Sequence, residues 1–324
     1  MRAVLSREPG PPASLAVADV AEPVAGPGEV VVAVAAVGLN FLDTLIIRDR
    51  YQFKPERPFS PGAEMAGTVV ALGEGVATLA VGDRVSGHLG WGCCREQVVA
   101  KAASLARVPD GVPLEVAAGL TITYGTTILA LDERASLRPG ETLAVLGASG
   151  GVGQAAVEIG KVMGARVIAC AGGADKLAFA RDCGADEIVD YEREDLKARL
   201  KDLTGGRGVD VIYDPVGGAY SEAAIRAIAW LGRHLVIGFA AGDIPKIPLN
   251  LLLLKNCDLR GVFFGEAVKR DPAGHARSME RIHGWVAEGR IKPHIDRVVG
   301  LDEVPAALEA IAARAVKGKV IVRP

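Results

Sequence analysis

Short apolar runs alternate with amphipathic segments through the middle of the chain. The runs are rich in β-branched residues and have the length of buried strands; they lie at residues 142–146, 165–170, 187–191, 209–213 and 234–238. The segments between them have helical periodicity and lie at residues 154–159, 175–183, 194–203 and 221–231. Strands that alternate with helices pack as a parallel, doubly wound sheet with right-handed connections. This pattern predicts an α/β domain over residues 122–290.

The first 121 residues have a different pattern, in which turn residues interrupt short strand-like runs. These runs lie at residues 1–5, 28–34, 67–73 and 82–85. Such spacing predicts an antiparallel, barrel-like β-domain. Residues 291–324 end in another apolar run, 319–322, and we expect them to return to this first domain. Ligand is then expected in a cleft between the two domains, under the proline-rich loop 48–61.

A glycine-rich turn follows the first strand of the α/β region. Residues 147–153 read Gly-Ala-Ser-Gly-Gly-Val-Gly and open into a predicted helix. The spacing Ala148-x-Gly150-x-x-Gly153 matches the dinucleotide-binding fingerprint, in which small residues let the backbone approach a pyrophosphate at a helix N-terminus. The alternative is that these glycines only form a tight turn. The strand before the turn and the helix after it favour a dinucleotide site.

The end of the second predicted strand, Cys170–Gly173, indicates which dinucleotide binds. A site for NAD carries an acidic residue at this place, which bonds the ribose 2′-hydroxyl, and this strand end has none. Lys176 follows closely, and Tyr191 ends the next strand. Because a nearby ammonium favours a 2′-phosphate, the sequence predicts NADPH. The alternative is that Lys176 is an ordinary solvated lysine in the first turn of a helix.

Composition narrows the class of protein. Half of the 324 residues are hydrophobic and the net charge is −2, so the length suggests two domains and nucleic acid is not an expected partner. The apolar stretch 30–37 is too short to span a bilayer, and the chain begins on a strand rather than a signal peptide. The five cysteines have no paired pattern, and Cys93-Cys94 is interpreted as a turn pair. We therefore expect a cytoplasmic protein with no membrane partner.

Several motifs resemble the medium-chain dehydrogenase/reductase superfamily; they are Gly62–Val69, Gly82–Val85 and Ala148–Gly153. Three more resemble the zinc-independent quinone oxidoreductases (zeta-crystallin-like) of that superfamily; they are Gly38–Thr44, Val189–Leu196 and Gly261–Gly265. The motifs occur in order along nearly the whole chain. The resemblance implies a GroES-like antiparallel β-barrel domain over 1–121 and 291–324. It implies a Rossmann domain, with a doubly wound parallel sheet, over 122–290.

The resemblance also implies that no metal is bound. Where the zinc alcohol dehydrogenases have a cysteine and a histidine, this chain has Asn40 and Ala63, and neither replaces those zinc ligands. The block of four cysteines that holds a structural zinc is missing, and the five histidines have no ligand spacing. A site without a metal suits the reduction of an electron-poor C=C bond or a quinone better than the oxidation of an alcohol.

Three catalytic candidates follow from the resemblance. It implies that Asn40 and Thr126 line the nicotinamide and substrate end of the site. It implies that Tyr51 lies near the substrate, where it donates a proton or bonds a carbonyl group. Each has an alternative in the fold alone: Asn40 bonds the backbone at a strand-to-helix turn, Thr126 caps a helix, and Tyr51 lies on the surface of a loop.

The cofactor-binding candidates extend along the α/β domain. They are Thr126, Ala148, Gly150, Gly151, Val152, Gly153, Gly172, Lys176, Tyr191, Gly238, Phe239, Val262, Phe263 and Phe264. The resemblance implies that the glycine-rich turn contacts the pyrophosphate and that Lys176 and Tyr191 hold the 2′-phosphate. It implies that Phe239 and residues 262–264 bracket the nicotinamide. The alternatives are a packing role at a strand end for Tyr191 and a core or edge-strand role for the last two phenylalanines.

Together these features predict an NADPH-dependent quinone reductase. Hydride passes from the cofactor to a quinone or another carbonyl-conjugated acceptor, while the protein positions both and excludes water. The closest alternative is a C=C reductase of enones, acrylate-like acids or enoyl thioesters, with Tyr51 as proton donor. An alternative of another class is a non-catalytic NADPH-binding protein. The resemblance implies a homodimer formed through edge strands near Asp258–Phe264.

Overall fold

The computed structural model describes all 324 residues, Met1–Pro324. Its strands are β1 (Arg2–Leu5), β2 (Ala16–Asp19), β3 (Glu29–Leu39), β4 (Glu64–Leu72), β5 (Arg84–His88), β6 (Gln97–Lys101), β7 (Leu105–Arg107), β8 (Thr142–Leu146), β9 (Arg166–Ala171), β10 (Glu187–Asp190), β11 (Val209–Asp214), β12 (Ile228–Val236), β13 (Asp258–Gly261), β14 (Ile295–Gly300) and β15 (Lys319–Arg323). Its α-helices are α1 (Phe41–Ile46), α2 (Leu114–Ala117), α3 (Thr123–Ile128), α4 (Gly151–Val162), α5 (Ala174–Asp182), α6 (Leu196–Leu203), α7 (Gly218–Arg226), α8 (Asn250–Leu253), α9 (Phe264–Arg270), α10 (Pro272–Ala287) and α11 (Val304–Ala312). None of these helices combines the length and the apolar composition that a bilayer span requires.

The chain divides into two compact units. The first comprises residues 1–122, 265–289 and 293–324, and the second comprises 123–264 and 290–292. The sequence prediction assigns residues 265–289 to the α/β domain, whereas in the structure they pack in the first unit. The physical reason is that β13 is the last strand of the parallel sheet. The helices that follow it therefore lead to a strand of the other sheet, and Val286 of α10 packs against a core cluster of the first unit.

The first unit is built on a seven-stranded sheet. The strand order is β14-β15-β3-β4-β5-β7, with β6 also paired to β3. All of these pairs are antiparallel except β14 with β15. As predicted, the end of the chain returns to this unit, because β15 pairs with β3 from Leu39 to Val37. That pairing brings Lys319, the first residue of β15, beside the end of β3.

The second unit is built on a six-stranded parallel sheet. The strand order is β10-β9-β8-β11-β12-β13, which is the doubly wound order that the alternating pattern predicts. Every residue of β8 is buried, because helices cover both faces of such a sheet. The glycine-rich turn connects the carboxyl end of β8 to α4, at the point where the strand order reverses.

One predicted helix is shorter than its sequence pattern. The pattern favours a helix over 221–231, but α7 ends at Arg226 and β12 begins at Ile228. The reason is a long-range pairing: Ile228 lies opposite Val209 of β11, and the register shifts immediately after. Leu231 takes a positive φ of 60° within this strand, and its side chain is exposed. Tertiary pairing overrides local helix periodicity here.

Candidate active site

The glycine-rich turn separates glycines that the fold requires from one that it does not. A Cβ atom added at Gly153 would lie 2.1 Å from the carbonyl oxygen of Gly147, so close packing of the turn explains this glycine. Gly147 itself has a positive φ of 59°. Gly150 has φ −78° and ψ 169°, which any residue adopts. The nearest protein atom to an added Cβ at Gly150 is 3.6 Å away, so the space above it is open.

This open space lies at the N-terminus of a 12-residue helix. Gly150 is the N-cap of α4, and the backbone N–H groups of Gly151, Val152 and Gly153 in the first turn have no carbonyl partner within the helix. The buried Ala148 fixes the turn, since its N–H donates to the carbonyl oxygen of Cys170 on β9 at 3.1 Å. The residues present therefore fit the pyrophosphate of a dinucleotide, which needs close backbone approach and free N–H donors.

Lys176 and Tyr191 flank the carboxyl end of β9. Lys176 lies in the first turn of α5, is half-buried, and makes no hydrogen bond or ion pair. The ring of Tyr191 stacks on Tyr220, with 4.2 Å between ring centroids. The ammonium is thus available to an anion, while Tyr191 has the packing role that its sequence position also allowed. Their contact with a 2′-phosphate stays a prediction.

Thr126 lies in the middle of α3, so it does not cap this helix. Its side chain is only 7% exposed, and its hydroxyl makes no hydrogen bond in the structure. The neighbouring Thr127 is different, because its hydroxyl donates to the carbonyl of Thr123 and bonds the hydroxyl of Tyr213 at 2.9 Å. Thr126 therefore keeps a polar group available for a ligand. Its role beside the nicotinamide stays a prediction.

The predicted nicotinamide-bracketing residues have unequal exposure. Phe239 follows β12, is 37% exposed, and lies against Gly217, where an added Cβ would be 2.9 Å from its ring. The N–H of Gly238 donates to the carbonyl of Asp214. After β13, Val262 and Phe264 are buried and Phe263 is 46% exposed. Phe264 therefore lies in the core, which is one of the alternatives that the sequence allowed, while Phe239 and Phe263 expose apolar surface.

In the first unit, Asn40 belongs to a buried polar network. Its side-chain nitrogen donates to the carbonyl of Gly38 at 3.0 Å and to Glu64 Oε1 at 2.9 Å. Its side-chain oxygen accepts from Lys319 Nζ at 2.8 Å. Both amide protons are therefore used within the protein at the β3–α1 turn, which is the structural alternative for this residue. A catalytic role for Asn40 stays a prediction.

Sequence reasoning missed the ion pair at the centre of this network. Lys319 Nζ and Glu64 Oε1 are 2.7 Å apart, with side chains only 5% and 0% exposed. The ammonium also donates to the carbonyl of Leu39 at 2.9 Å, and Glu64 Oε2 accepts from the N–H of Ile122 at 2.7 Å. Every ionic group thus has several partners, as buried charges require. The only sequence clue was a charged residue within each of two apolar strands.

Asp43 and Tyr51 lie near this network. The carboxylate of Asp43 is fully buried and accepts from the N–H groups of Asn40 and Gly62. Burial raises the pKa of Asp43 to about 7. Tyr51 is half-buried, and its ring lies 6.0 Å from that of Phe53. Burial and the charge of Asp43 raise the pKa of Tyr51, so this phenol stays protonated and is a weaker acid than an exposed tyrosine.

The surroundings of Asn40 and Ala63, which stand where zinc enzymes have metal ligands, do not favour a zinc ion. The ammonium of Lys319 bonds the oxygen of Asn40, and a cation placed there would be repelled by it. Ala63 is buried and has no ligand atom. No three His, Cys, Asp or Glu side chains of the structure are grouped as ligands for a metal ion. Metal independence stays a prediction.

Comparisons with known proteins show the family to which the chain belongs. The sequence model of the family described as "Zinc-binding dehydrogenase" matches residues 151–279, and that of "Alcohol dehydrogenase GroES-like domain" matches residues 26–110. The chain is 40% identical to a quinone oxidoreductase-like protein 2 homolog of Nematostella vectensis, over 92% of this chain and 82% of that protein. It is 33% identical to a quinone oxidoreductase of Pseudomonas aeruginosa, over 94% of this chain and 93% of that protein.

A solved structure agrees with these relatives. The crystal structure of Escherichia coli quinone oxidoreductase complexed with NADPH superposes with a TM-score of 0.92 at 27% identity, over 100% of both chains. The shared architecture includes the GroES-like unit and the parallel sheet described above. The chain belongs to the quinone oxidoreductase family of the medium-chain dehydrogenase/reductase superfamily.

Proposed function

We propose that this protein, an NADPH-dependent oxidoreductase by family, transfers a hydride from NADPH to a quinone or another carbonyl-conjugated acceptor. The observation that carries the proposal is its 33% identity, over 94% of the chain, with a quinone oxidoreductase. The open space above Gly150 supports it independently, because the fold gives no steric reason for a glycine there. The reaction balances as quinone, NADPH and one proton giving hydroquinone and NADP⁺.

The cofactor supplies the hydride from its nicotinamide ring when it is bound. The protein's own part is to hold and orient it. The N-terminus of α4 binds the pyrophosphate, the ammonium of Lys176 binds the 2′-phosphate, and the hydroxyl of Thr126 orients the nicotinamide end. No nucleophile or metal is needed, since an electron-poor acceptor takes hydride directly and the oxygen anion that forms is protonated from water.

A C=C reductase is the second candidate, because Tyr51 is a half-buried phenol close to Asp43. Its raised pKa makes it a weaker proton donor than an exposed tyrosine, and for this reason quinone reduction ranks first. The test is a screen of NADPH oxidation with purified protein over quinones, enones and acyl thioesters. We expect the highest kcat/KM with a quinone. A preference for enones or thioesters would select the second candidate, and binding of NADPH without turnover of any acceptor would leave a non-catalytic role.

We also propose that the protein is a cytoplasmic homodimer. The edge strand β13 leaves one row of backbone groups unpaired, and Leu259 is exposed on it. Further apolar side chains are exposed on the neighbouring strand β12 and in the segments before and after β13: Trp230, Leu231, Leu249, Leu253, Leu254 and Phe263. A patch of this kind on an open sheet edge suits association with a second copy. Sedimentation equilibrium distinguishes a dimer from the 33.6 kDa monomer.

A further inference from the structure

The side chain of Glu192 lies directly over the backbone at the carboxyl end of β9. A Cβ atom added at Gly172 would be 2.1 Å from Glu192 Oε1 and 2.2 Å from Cδ. In this rotamer the carboxyl group occupies the space that a side chain at position 172 would take. Glu192 comes from the loop after β10, so the sequence of β9 and the residues that follow it gives no sign of this acid.

Hydrogen bonds of the backbone and of the Asp190 side chain hold this loop in place. The N–H of Tyr191 donates to the carbonyl of Ala171 at 3.3 Å. In the other direction, Asp190 Oδ1 accepts from the N–H of Gly173 at 3.4 Å and from the N–H of Glu192 at 3.2 Å. The position of Glu192 is therefore set by its backbone, while its exposed carboxylate has no ion pair or hydrogen bond of its own in the structure.

This place in a dinucleotide-binding sheet is chemically specific. An acid at the end of the second strand bonds the ribose hydroxyls of NAD and repels the 2′-phosphate of NADP. A cation at the same place does the opposite. The structure brings one of each to the end of β9, since the free ammonium of Lys176 lies in the first turn of α5 and the carboxylate of Glu192 lies over Gly172.

We infer that Glu192 is a specificity-determining residue that opposes Lys176. Its carboxylate accepts hydrogen bonds from the ribose hydroxyls of NADH and has to turn away from a 2′-phosphate. The side chain is exposed and flexible, so it is able to move, but its negative charge remains nearby and weakens NADPH binding. The protein therefore uses both cofactors, with a smaller preference for NADPH than Lys176 alone would produce. This inference rests on the proposed function.

Isothermal titration calorimetry with NADPH and with NADH tests it without any acceptor. We expect Glu192→Gln, which keeps the shape and removes the charge, to bind NADPH about tenfold more tightly and NADH severalfold more weakly than wild type. Glu192→Ala is expected to show the same gain for NADPH. Asp182→Asn is the matched control, because Asp182 is an exposed acid at the opposite end of α5; its ratio of affinities is expected to equal that of wild type.

Two outcomes would overturn the inference alone, and a third would overturn the proposed function. An unchanged ratio of NADPH to NADH affinity in Glu192→Gln, in protein that binds NADPH, would overturn the inference and leave the proposed function standing. Equal changes in Asp182→Asn and Glu192→Gln would also overturn it, since they would report net charge alone. Failure of the wild-type chain to bind either cofactor would overturn the proposed function itself.

Discussion

Single side chains determine how the first unit holds charge in its interior. The pair Lys319–Glu64 is almost fully buried, with 2.7 Å between the charged atoms, and Asn40 bonds both of its members. Removing one partner of such a pair costs about 3–5 kcal/mol, because the other charge is left buried and uncompensated. The hydrogen bonds to Glu64 and Lys319 hold the Asn40 side chain in one orientation, so a ligand that approaches it would meet an amide dipole of fixed direction.

Asp43 predicts a pH dependence of stability. Burial raises the pKa of its carboxyl from 3.8 to about 7, so between these values the folded chain holds a proton that the unfolded chain releases. The stabilisation from this group is complete below the unfolded pKa of 3.8 and is lost as the pH rises through about 7. We expect urea unfolding of Asp43→Asn to show a flatter dependence across this window, by up to roughly 4 kcal/mol.

The matched control for this pH dependence is Asp182→Asn, which removes an exposed carboxylate. Its profile is expected to parallel that of wild type. If the profile of Asp43→Asn does so as well, the carboxyl of Asp43 titrates at the same pH in both states, and the argument from burial is wrong.

Tyr51 distinguishes between the two enzyme functions. Quinone reduction leaves negative charge on an oxygen that water protonates, whereas reduction of a C=C bond needs a proton on carbon, to which a positioned acid contributes about 10²–10⁴-fold. The raised pKa of Tyr51 makes it a weak acid. We therefore expect Tyr51→Phe to lower turnover of the best acceptor by less than about tenfold. A loss beyond about a hundredfold at unchanged NADPH affinity would favour the C=C reductase.

Lys176 predicts cofactor preference. One charge-assisted contact to the 2′-phosphate is worth about 1.5–3 kcal/mol. Lys176→Ala is therefore expected to weaken NADPH binding roughly ten- to a hundredfold, while NADH binding barely changes. Lys197→Ala is the matched control, since Lys197 is an exposed lysine in the first turn of α6. Equal weakening of both cofactors by Lys176→Ala would remove this lysine from the 2′-phosphate site.

At the scale of elements, the turn between β8 and α4 contains two glycines whose substitution separates packing of the turn from cofactor binding. Gly153→Ala is expected to lower the free energy of unfolding by about 1–3 kcal/mol, because its Cβ would meet the Gly147 carbonyl at 2.1 Å. Gly150→Ala is expected to change stability little, because the gain of about 0.4–1 kcal/mol through the unfolded state is offset by the poorer capping of α4 by alanine. The Cβ added by Gly150→Ala would occupy the open space at the helix N-terminus, so NADPH affinity is expected to fall about tenfold or more.

Thermal denaturation of the ligand-free variants and NADPH titration separate these two effects. A Gly150→Ala variant that binds NADPH as wild type does would mean that the space above Gly150 does not receive the pyrophosphate. A Gly150→Ala variant destabilised as much as Gly153→Ala would mean that packing of the turn requires this glycine.

The elements that the sequence predicts well are those with local patterns. The parallel strands, the glycine-rich turn and the return of residues 319–322 all follow from apolar periodicity and turn residues. What escapes prediction depends on distant partners. The end of α7 is set by the pairing of Ile228 with Val209. Glu192 lies at the end of β9 although it belongs to the loop after β10, and no rule based on sequence spacing predicts this contact.

At the scale of the whole molecule, each unit has its own core and its own chemistry. The first unit contains the buried ion pair Lys319–Glu64, and the second unit contains the helix N-terminus above which Gly150 leaves space. The sequence does not show to which unit residues 265–289 belong, because the apolar pattern of a helix does not indicate which sheet it packs against.

The most direct test of this account is the turnover of NADPH with a quinone by protein that has been treated with a chelator and analysed for zinc. The account predicts that NADPH is consumed in a one-to-one ratio with the hydroquinone formed, at a rate that saturates with both substrates. It predicts that chelation leaves the rate unchanged and that the protein contains no stoichiometric zinc. A tightly held zinc in each chain whose removal abolishes turnover, or NADPH binding without consumption by any quinone, would contradict it.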